Sequence, residues 1–177
     1  MRPYLFKLIA LGDGTTGKTS LVKRYTEGTF QHDYKATIGA TFALKHLDFE
    51  MDNGSSAKAK VVVWDIAGQP SFREMRSRYM EGASMAFIVF DVTRPDTFLN
   101  VANWYGALMK KSPDCIVAAV ANKIDLTERA VPSEVGGVLE NWIDVIYVET
   151  SALTGENVDH MFSELVKRAV QRFGPEN

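Results

Sequence analysis

The sequence lacks several features that would point to particular classes of protein. It contains a single cysteine, Cys115, which excludes an intramolecular disulfide and favours a reducing compartment. Its formal net charge of −2 gives no positive excess for DNA or RNA, so no nucleic-acid partner is expected. No segment approaches the roughly 18 uninterrupted apolar residues of a membrane span, and Lys7 interrupts the apolar start of the chain. These absences predict a cytoplasmic protein.

Linkers, low-complexity segments and internal repeats are also missing, so the 177 residues suit one domain covering 1–177. Short apolar runs typical of buried strands alternate with helical patterns. The predicted strands are 4–11, 41–51, 58–66, 85–92, 115–121 and 144–148, the second and third forming a hairpin around the turn 52–55. The predicted helices are 18–27, 96–111, 132–142 and 158–173. This alternation predicts an α/β fold with a mostly parallel, doubly wound sheet, whose ligands bind at the carboxyl ends of the strands.

A phosphate-binding loop follows the first predicted strand. Residues 12–19 read GDGTTGKT, a full match to the P-loop pattern between a strand and a helix. Its glycines let backbone N–H groups approach phosphate oxygens, and the helix that begins at Lys18 directs its positive dipole end at them. We expect Lys18 to reach the β- and γ-phosphates and Thr19 to bind Mg²⁺.

A second motif, WDIAGQ at residues 64–69, ends the third predicted strand. Asp65 is placed to hold Mg²⁺ directly or through a water, and Gly68 can offer a bare N–H to a terminal phosphate. Gln69 is then expected to orient the attacking water, because phosphoryl transfer depends mainly on positioning.

Two later loops predict recognition of guanine. In NKID, at 122–125, the Asp125 carboxylate can accept from guanine N1–H and N2–H₂, a donor pair that adenine lacks. The Lys123 stem can lie over the base, and Asn122 can tie this loop to the phosphate loop. In TSAL, at 150–153, the Ala152 N–H can donate to guanine O6. Either tetrapeptide alone is weak evidence, but both in order after separate strands favour GTP and GDP over adenine nucleotides.

Together these motifs resemble the Ras superfamily of small GTPases, and most closely its Rab branch, over about residues 4–172. The resemblance implies a six-stranded sheet in which only the second strand, at an edge, is antiparallel, with helices on both faces. It implies that Thr37 binds Mg²⁺ while the γ-phosphate is present, that Phe30 packs edge-on against guanine and that Tyr34 closes over the phosphates. It also implies two switch segments, about 31–41 and 67–80, that GTP orders and hydrolysis loosens.

The expected site residues follow from these motifs and this resemblance. The nucleotide-binding set is Gly14, Thr15, Thr16, Gly17, Lys18, Thr19, Ser20, Phe30, Tyr34, Thr37, Gly68, Asn122, Lys123, Asp125, Ser151, Ala152 and Leu153. The metal ligands are Thr19, Thr37 and Asp65, and the catalytic pair is Gln69 and Lys18. The Rab-like trio Phe42, Trp64 and Tyr79 is expected to contact effectors, with ordinary packing as its alternative.

Three departures from the family pattern affect these expectations. Pro70 stands where Glu is usual and can stiffen the second switch segment. Leu153 replaces the usual Lys and can lower affinity without changing specificity. No cysteine for lipidation lies near residue 177, so peripheral membrane contact is expected only through a lipidated tail beyond this sequence.

The sequence therefore predicts a monomeric GTP switch with slow intrinsic hydrolysis, because the phosphate loop carries no arginine. An arginine supplied by an activating protein would raise the rate by roughly 10³–10⁵. Exchange factors, activating proteins and effectors are the expected partners, acting through the switch segments. Two alternatives stay open: an interaction module locked on its nucleotide without useful hydrolysis, and a P-loop kinase whose arginine-rich lid would be the segment 73–78.

Overall fold

A computed structural model describes residues 4–33, 35–50, 54 and 56–174. Its strands are β1 (Tyr4–Gly12), β2 (Ala40–Glu50), β3 (Ser56–Ile66), β4 (Met85–Asp91), β5 (Ile116–Asn122) and β6 (Ile146–Thr150). Its helices are α1 (Lys18–Glu27), α2 (Arg73–Met80), α3 (Pro95–Leu99), α4 (Val101–Met109), α5 (Val135–Trp142) and α6 (Val158–Phe173), and a 3₁₀ turn covers Pro70–Phe72.

The six strands form one sheet in the order β2-β3-β1-β4-β5-β6. Neighbouring strands from β3 to β6 are parallel, whereas the edge strand β2 pairs antiparallel with β3 from Ala40↔Ile66 to Glu50↔Ser56. This confirms the predicted α/β fold, including the hairpin and its single antiparallel edge strand. Of the predicted turn 52–55, only Gly54 lies within the described residues.

The sheet separates two apolar layers, because successive side chains of a strand point to opposite faces. All seven residues of β4 are buried. Met85, Phe87 and Val89 join the core layer beneath α1 and α6, whereas Ile88 and Phe90 join the layer on the other face. Burial on both faces explains why β4 reads as a continuous apolar run rather than as an alternating one.

Three predicted boundaries need correction. The helix expected over 132–142 begins only at Val135, because the chain turns at residues 133 and 134. The helix expected over 96–111 is two helices, α3 and α4, separated by Asn100. The first residue of α3 is Pro95, and proline is favoured at the first helical position because it has no N–H to donate. The strand expected from 144 begins at Ile146, because the chain is still turning before it. The N–H of Ile143 bonds back to Leu139, and that of Val145 bonds to Ile143, at 2.9 and 3.0 Å.

The parallel arrangement brings the carboxyl ends of β1, β3, β5 and β6 to one edge of the sheet. Those strands end at Gly12, Ile66, Asn122 and Thr150, immediately before or within the motifs predicted from the sequence. Separately, within the described part of the chain, no helix has both the length and the apolar character needed to cross a membrane.

Candidate nucleotide-binding site

A cavity of about 460 Å³ opens at this edge of the sheet. Its walls come from the phosphate loop, the start of α1, the segment 30–37, the end of the WDIAGQ motif and the two predicted base-recognition loops. The residues lining it are Gly14, Thr15, Gly17, Lys18, Thr19, Ser20, Lys23, Phe30, Gln31, His32, Asp33, Lys35, Thr37, Gly68, Gln69, Asn122, Lys123, Asp125, Leu126, Ala152 and Leu153. Motifs separated by more than a hundred residues therefore share one cavity.

The phosphate loop folds around the Lys18 ammonium at one end of this cavity. Lys18 Nζ donates to the carbonyl oxygens of Gly12 and Asp13 at 2.9 and 2.7 Å. Burial lowers the pKa of Lys18 to about 8, although the neighbouring carboxylates of Asp65 and Asp13 act to raise it. An ammonium that is only 6% exposed is well suited to an anionic ligand, because a ligand's negative charge would offset the cost of its burial.

Three oxygen-bearing side chains meet beside Lys18. Thr19 Oγ1 lies 2.6 Å from Asp65 Oδ2 and 2.7 Å from Thr37 Oγ1. The second carboxylate oxygen, Asp65 Oδ1, is buried and has no hydrogen-bond partner among the described residues. Burial raises the pKa of Asp65, which the hydroxyl of Thr19 and the charge of Lys18 partly oppose. Hard oxygen donors with one buried oxygen unsatisfied are the chemistry that Mg²⁺ prefers, so these residues fit the expected metal.

Gly68 and Gln69 lie against the phosphate loop. A Cβ at Gly68 would come within 2.4 Å of the Gly12 carbonyl oxygen and 2.7 Å of Lys18 Nζ, so only glycine allows this approach. Gln69 Oε1 is buried and has no hydrogen-bond partner within the part of the chain that the structure describes. Gln69 Cγ is also 4.0 Å from the position that a Cβ would take on Gly14. The Gln69 amide thus presents a free acceptor beside the end of the cavity where the phosphate loop lies.

Asn122 joins the phosphate loop to both base-recognition loops. Its Nδ2 donates to the Thr16 carbonyl oxygen at 2.9 Å, and its Oδ1 accepts from Thr150 Oγ1 at 3.1 Å and from the Ala152 N–H at 3.2 Å. The predicted tie between the phosphate loop and the NKID loop is therefore confirmed. Because the Ala152 N–H already has a protein partner, its bond to guanine O6 stays a prediction.

Asp125 lines the same cavity, and its carboxylate is bonded to a neighbouring hydroxyl. Ser151 Oγ donates to Asp125 Oδ1 at 2.5 Å, so Ser151 orients the carboxylate from behind. The Lys123 ammonium pairs with Asp91, which is almost fully buried, at 2.6 Å. Burial acts to raise the Asp91 pKa, but hydrogen bonds from Lys123 and Thr93 bring that pKa below its usual value.

Not every predicted site residue lines the cavity. Thr16, Asp65 and Ser151 are buried and are not among the lining residues: the Thr16 carbonyl accepts from Asn122, Asp65 Oδ2 accepts from Thr19, and Ser151 donates to Asp125. Tyr34 lies outside the described residues.

Six lining residues escaped the sequence reasoning. They are Lys23, Gln31, His32, Asp33, Lys35 and Leu126. Most are exposed polar side chains in an irregular segment, where neither periodicity nor a motif singles out a residue. His32 is exposed, and its ring stands edge-on to Phe30 at 5.2 Å between centroids. Leu126 directly follows NKID, and its position after that motif is the one signal that could have identified it.

The predicted effector trio forms a cluster on the β2–β3 side of the sheet. The ring centroid of Phe42 lies 4.6 Å from that of Trp64 and 6.4 Å from that of Tyr79, and Trp64 and Tyr79 are 5.1 Å apart. Phe42 is 56% exposed. Trp64 is thus the central ring, and an exposed phenyl group beside it favours a contact surface over simple packing.

Comparison with known proteins agrees with this geometry. The model of the Ras family matches residues 7–171. Ras-related protein Rab11D of Lotus japonicus is 39% identical over 178 residues, covering 95% of this chain and 79% of that protein. Two proteins of Arabidopsis thaliana are similar: Ras-related protein RABA1b at 39% identity, with 92% and 74% covered, and Ras-related protein RABC1 at 38%, with 95% and 78% covered. The chain therefore belongs to the Ras family of small GTPases, proteins that bind guanine nucleotide and hydrolyse GTP, and within that family it is Rab-like.

Proposed function

We propose that this single G domain is a Rab-like switch that holds GTP·Mg²⁺ in the cavity and hydrolyses it slowly to GDP. One observation carries the proposal: Lys18 and Asp125 line the same cavity, and Asp65 is bonded to Thr19 in its wall. Residues on different faces of the molecule would have excluded a shared ligand. The charges of the lining also fit, because the cavity presents a cation at Lys18 and a carboxylate acceptor at Asp125.

The phosphate end combines backbone and side-chain donors. The N–H groups of the phosphate loop, including those of Gly14, Thr15 and Thr16, would bind phosphate oxygens together with Lys18. Thr19, Thr37 and Asp65 would hold Mg²⁺, which when bound supplies positive charge that neutralises the phosphates. Gly68 offers its N–H to the terminal phosphate, and the buried oxygens at Asp65 and Gln69 remain available for the metal and for water.

Hydrolysis in this proposal is an in-line attack of water on the γ-phosphate. Gln69 Oε1 accepts a hydrogen bond from that water and orients it, while Lys18 stabilises the charge that develops on the phosphate oxygens. The bond from the γ-phosphorus to the bridging oxygen breaks, and GDP and phosphate form. Because the phosphate loop has no arginine, we expect slow turnover alone and a stimulation of roughly 10³–10⁵ when a partner supplies one.

Single-turnover hydrolysis of GTP by the purified protein, with Gln69→Leu alongside, tests this mechanism. The wild-type protein should be slow, and Gln69→Leu slower still, since leucine cannot accept from water. Turnover of tens per second without a partner would refute the proposed mechanism. Equal, negligible rates for both proteins would instead favour the alternative, a nucleotide-locked interaction module, which Pro70 beside Gln69 keeps open.

Nucleotide identity is tested separately. Protein denatured after purification should release guanine nucleotide in stoichiometric amount, and adenine nucleotide would overturn the assignment. Asp125→Ala should weaken binding of GDP, because the base loses the acceptor for its N1–H and N2–H₂ groups. Asp144→Ala is the matched control, since Asp144 is exposed and is not a cavity residue.

The Rab-like character suggests a role in intracellular membrane traffic or signalling. Segments 31–41 and 67–80 would change with the nucleotide and contact exchange factors, activating proteins and effectors, the last through Phe42, Trp64 and Tyr79. The protein is expected to act as a cytoplasmic monomer, with peripheral membrane association only through a lipidated tail. Binding of an effector that prefers the GTP form, and its loss in Phe42→Ala, would test this surface.

A further inference from the structure

A buried arginine in α2 contacts the backbone on both sides of Gly68. Arg76 is only 7% exposed, and its Nη1 donates to the carbonyl oxygen of Ala67 at 3.2 Å and to that of Gln69. Burying a guanidinium is costly unless its donors find acceptors, so these contacts account for its inward position. The neighbouring Arg73 and Arg78 are exposed. The arginine-rich stretch that resembled a kinase lid therefore contains one inward-facing member.

The guanidinium of Arg76 is also joined to the phosphate loop through an aromatic ring. It lies 4.7 Å from the ring centroid of Trp104 on α4. Trp104 Nε1 donates to Asp13 Oδ1 at 2.8 Å, and Asn100 Nδ2 donates to Asp13 Oδ2 at the same distance. The surface against which Arg76 packs is thus fixed to the loop that would hold the phosphates.

Pro70 restricts Gln69 from the other side. The residue before a proline is confined to extended backbone, and Gln69 has φ −66° and ψ 145°. With ψ limited in this way, the Gln69 carbonyl oxygen accepts from the Phe72 N–H at 3.1 Å as well as from Arg76. The hydrogen bonds from Arg76 and the Phe72 N–H, together with the steric restriction from Pro70, therefore fix the peptide group that follows Gln69.

We infer that Arg76 is a positioning residue. Together with Pro70 it holds Gln69 in the position from which Gln69 orients the attacking water, and it thereby sets the intrinsic rate of GTP hydrolysis. The inference rests on the proposed role of Gln69 in orienting water. Arg76 itself is not among the residues that line the cavity. It acts on the backbone of residues 67–69, which carries the Gly68 N–H and the Gln69 side chain to the phosphate loop.

Lysine can replace arginine in this role only in part. The guanidinium donates from Nη1 to two carbonyl oxygens while its central carbon lies over the Trp104 ring. An ammonium is a compact point charge on a flexible stem and cannot form the stacked contact with the same geometry. Arg76→Lys should therefore retain the charge but only part of the positioning.

Single-turnover hydrolysis without any partner protein provides the first test. We expect Arg76→Met to slow hydrolysis by about 10-fold to 10²-fold, because small displacements of a positioning group have effects of this size. The dissociation constant for GTP should stay within about threefold of wild type, and Arg76→Lys should be intermediate. Arg78→Met, an identical change at an exposed position on the same helix, should hydrolyse GTP at the wild-type rate.

Hydrogen exchange measures the positioning directly. Amides in peptides covering 67–72 should exchange faster in Arg76→Met and in Pro70→Ala than in wild type, while amides of β4 stay protected. Circular dichroism selects variants that fold. If Arg76→Met does not fold, Arg76→Lys carries the kinetic and exchange measurements.

The outcomes separate this inference from the function on which it rests. Slower hydrolysis with nearly unchanged GTP affinity and faster exchange supports it. A folded Arg76→Met with the wild-type rate, or with a loss of affinity that matches the loss of rate, overturns it. If Gln69→Leu is slow while Arg76→Met is not, the inference alone fails. If Gln69→Leu hydrolyses GTP at the wild-type rate, the proposed role of Gln69 fails and the inference with it.

Discussion

Replacing Asn122 should weaken both folding and nucleotide retention, because its side chain joins three loops at once. Asn122 is 1% exposed and bonds to the carbonyl of Thr16, the hydroxyl of Thr150 and the N–H of Ala152. Asn122→Ala leaves the buried Thr16 carbonyl and Ala152 N–H without partners. Each such orphaned group costs roughly 1–3 kcal/mol, so the total loss should be roughly 2–6 kcal/mol.

This loss divides between stability and binding, and two measurements separate the shares. Urea unfolding at fixed GDP concentration reports the total, because bound nucleotide stabilises the folded state. The rate of GDP release reports the share that acts through the loops. If the binding free energy of GDP falls by about 2 kcal/mol, and if the whole of that loss acts on the dissociation rate, GDP release accelerates by roughly 30-fold.

Smaller changes at the same place should give graded effects. Thr150→Val removes one of the three hydrogen bonds and should cost about 1 kcal/mol. Asn103→Ala is the control, because Asn103 is exposed and, among the described residues, its side chain bonds only to that of Asn100, so its effect should stay within about 0.5 kcal/mol. A folded Asn122→Ala with unchanged unfolding and unchanged GDP release would refute the reasoning.

Two further predictions concern packing away from the cavity. Gly137→Ala should stabilise the protein by about 1 kcal/mol in urea unfolding, because nothing lies within 4 Å of the new methyl group and alanine favours the helix. Gly136→Ala should destabilise it in the same assay, since its Cβ would come within 2.3 Å of the Tyr147 ring; equal effects at the two glycines would contradict this. Cys115 is buried, and burial raises the pKa of its thiol to about 12, so at pH 8 it should react with iodoacetamide only after unfolding. Modification of the folded protein at the unfolded rate would contradict the burial of this thiol.

The two glycines also show where sequence reasoning reached its limit. The helical pattern over 132–142 does not explain why two adjacent glycines, Gly136 and Gly137, lie within it. The structure assigns a packing reason to Gly136, which makes room for the Tyr147 ring, but none to Gly137. Adjacent identical residues thus differ because one faces β6 and the other faces open space.

Local chemistry in the sequence determined the fold and most members of the candidate site. The run Met85–Asp91 had to be a doubly buried strand because it contains almost no polar residue, and the GDGTTGKT loop had to precede a helix. The rule that parallel strands end at one edge then placed the loops of Lys18, Gln69 and Asp125 together. Each of these inferences depends on spacing along the chain or on backbone direction.

Only the tertiary structure decided which distant side chains meet. Nothing in the local pattern distinguishes inward-facing Arg76 from its exposed neighbour Arg78, or predicts that Trp104 bonds to Asp13. The local pattern also does not predict that the exposed residues Gln31 and Lys35 line the cavity. The physical reason is that such contacts depend on side-chain reach and on the packing of helices against the sheet. Periodicity records which face of an element is buried, but not which partner lies opposite.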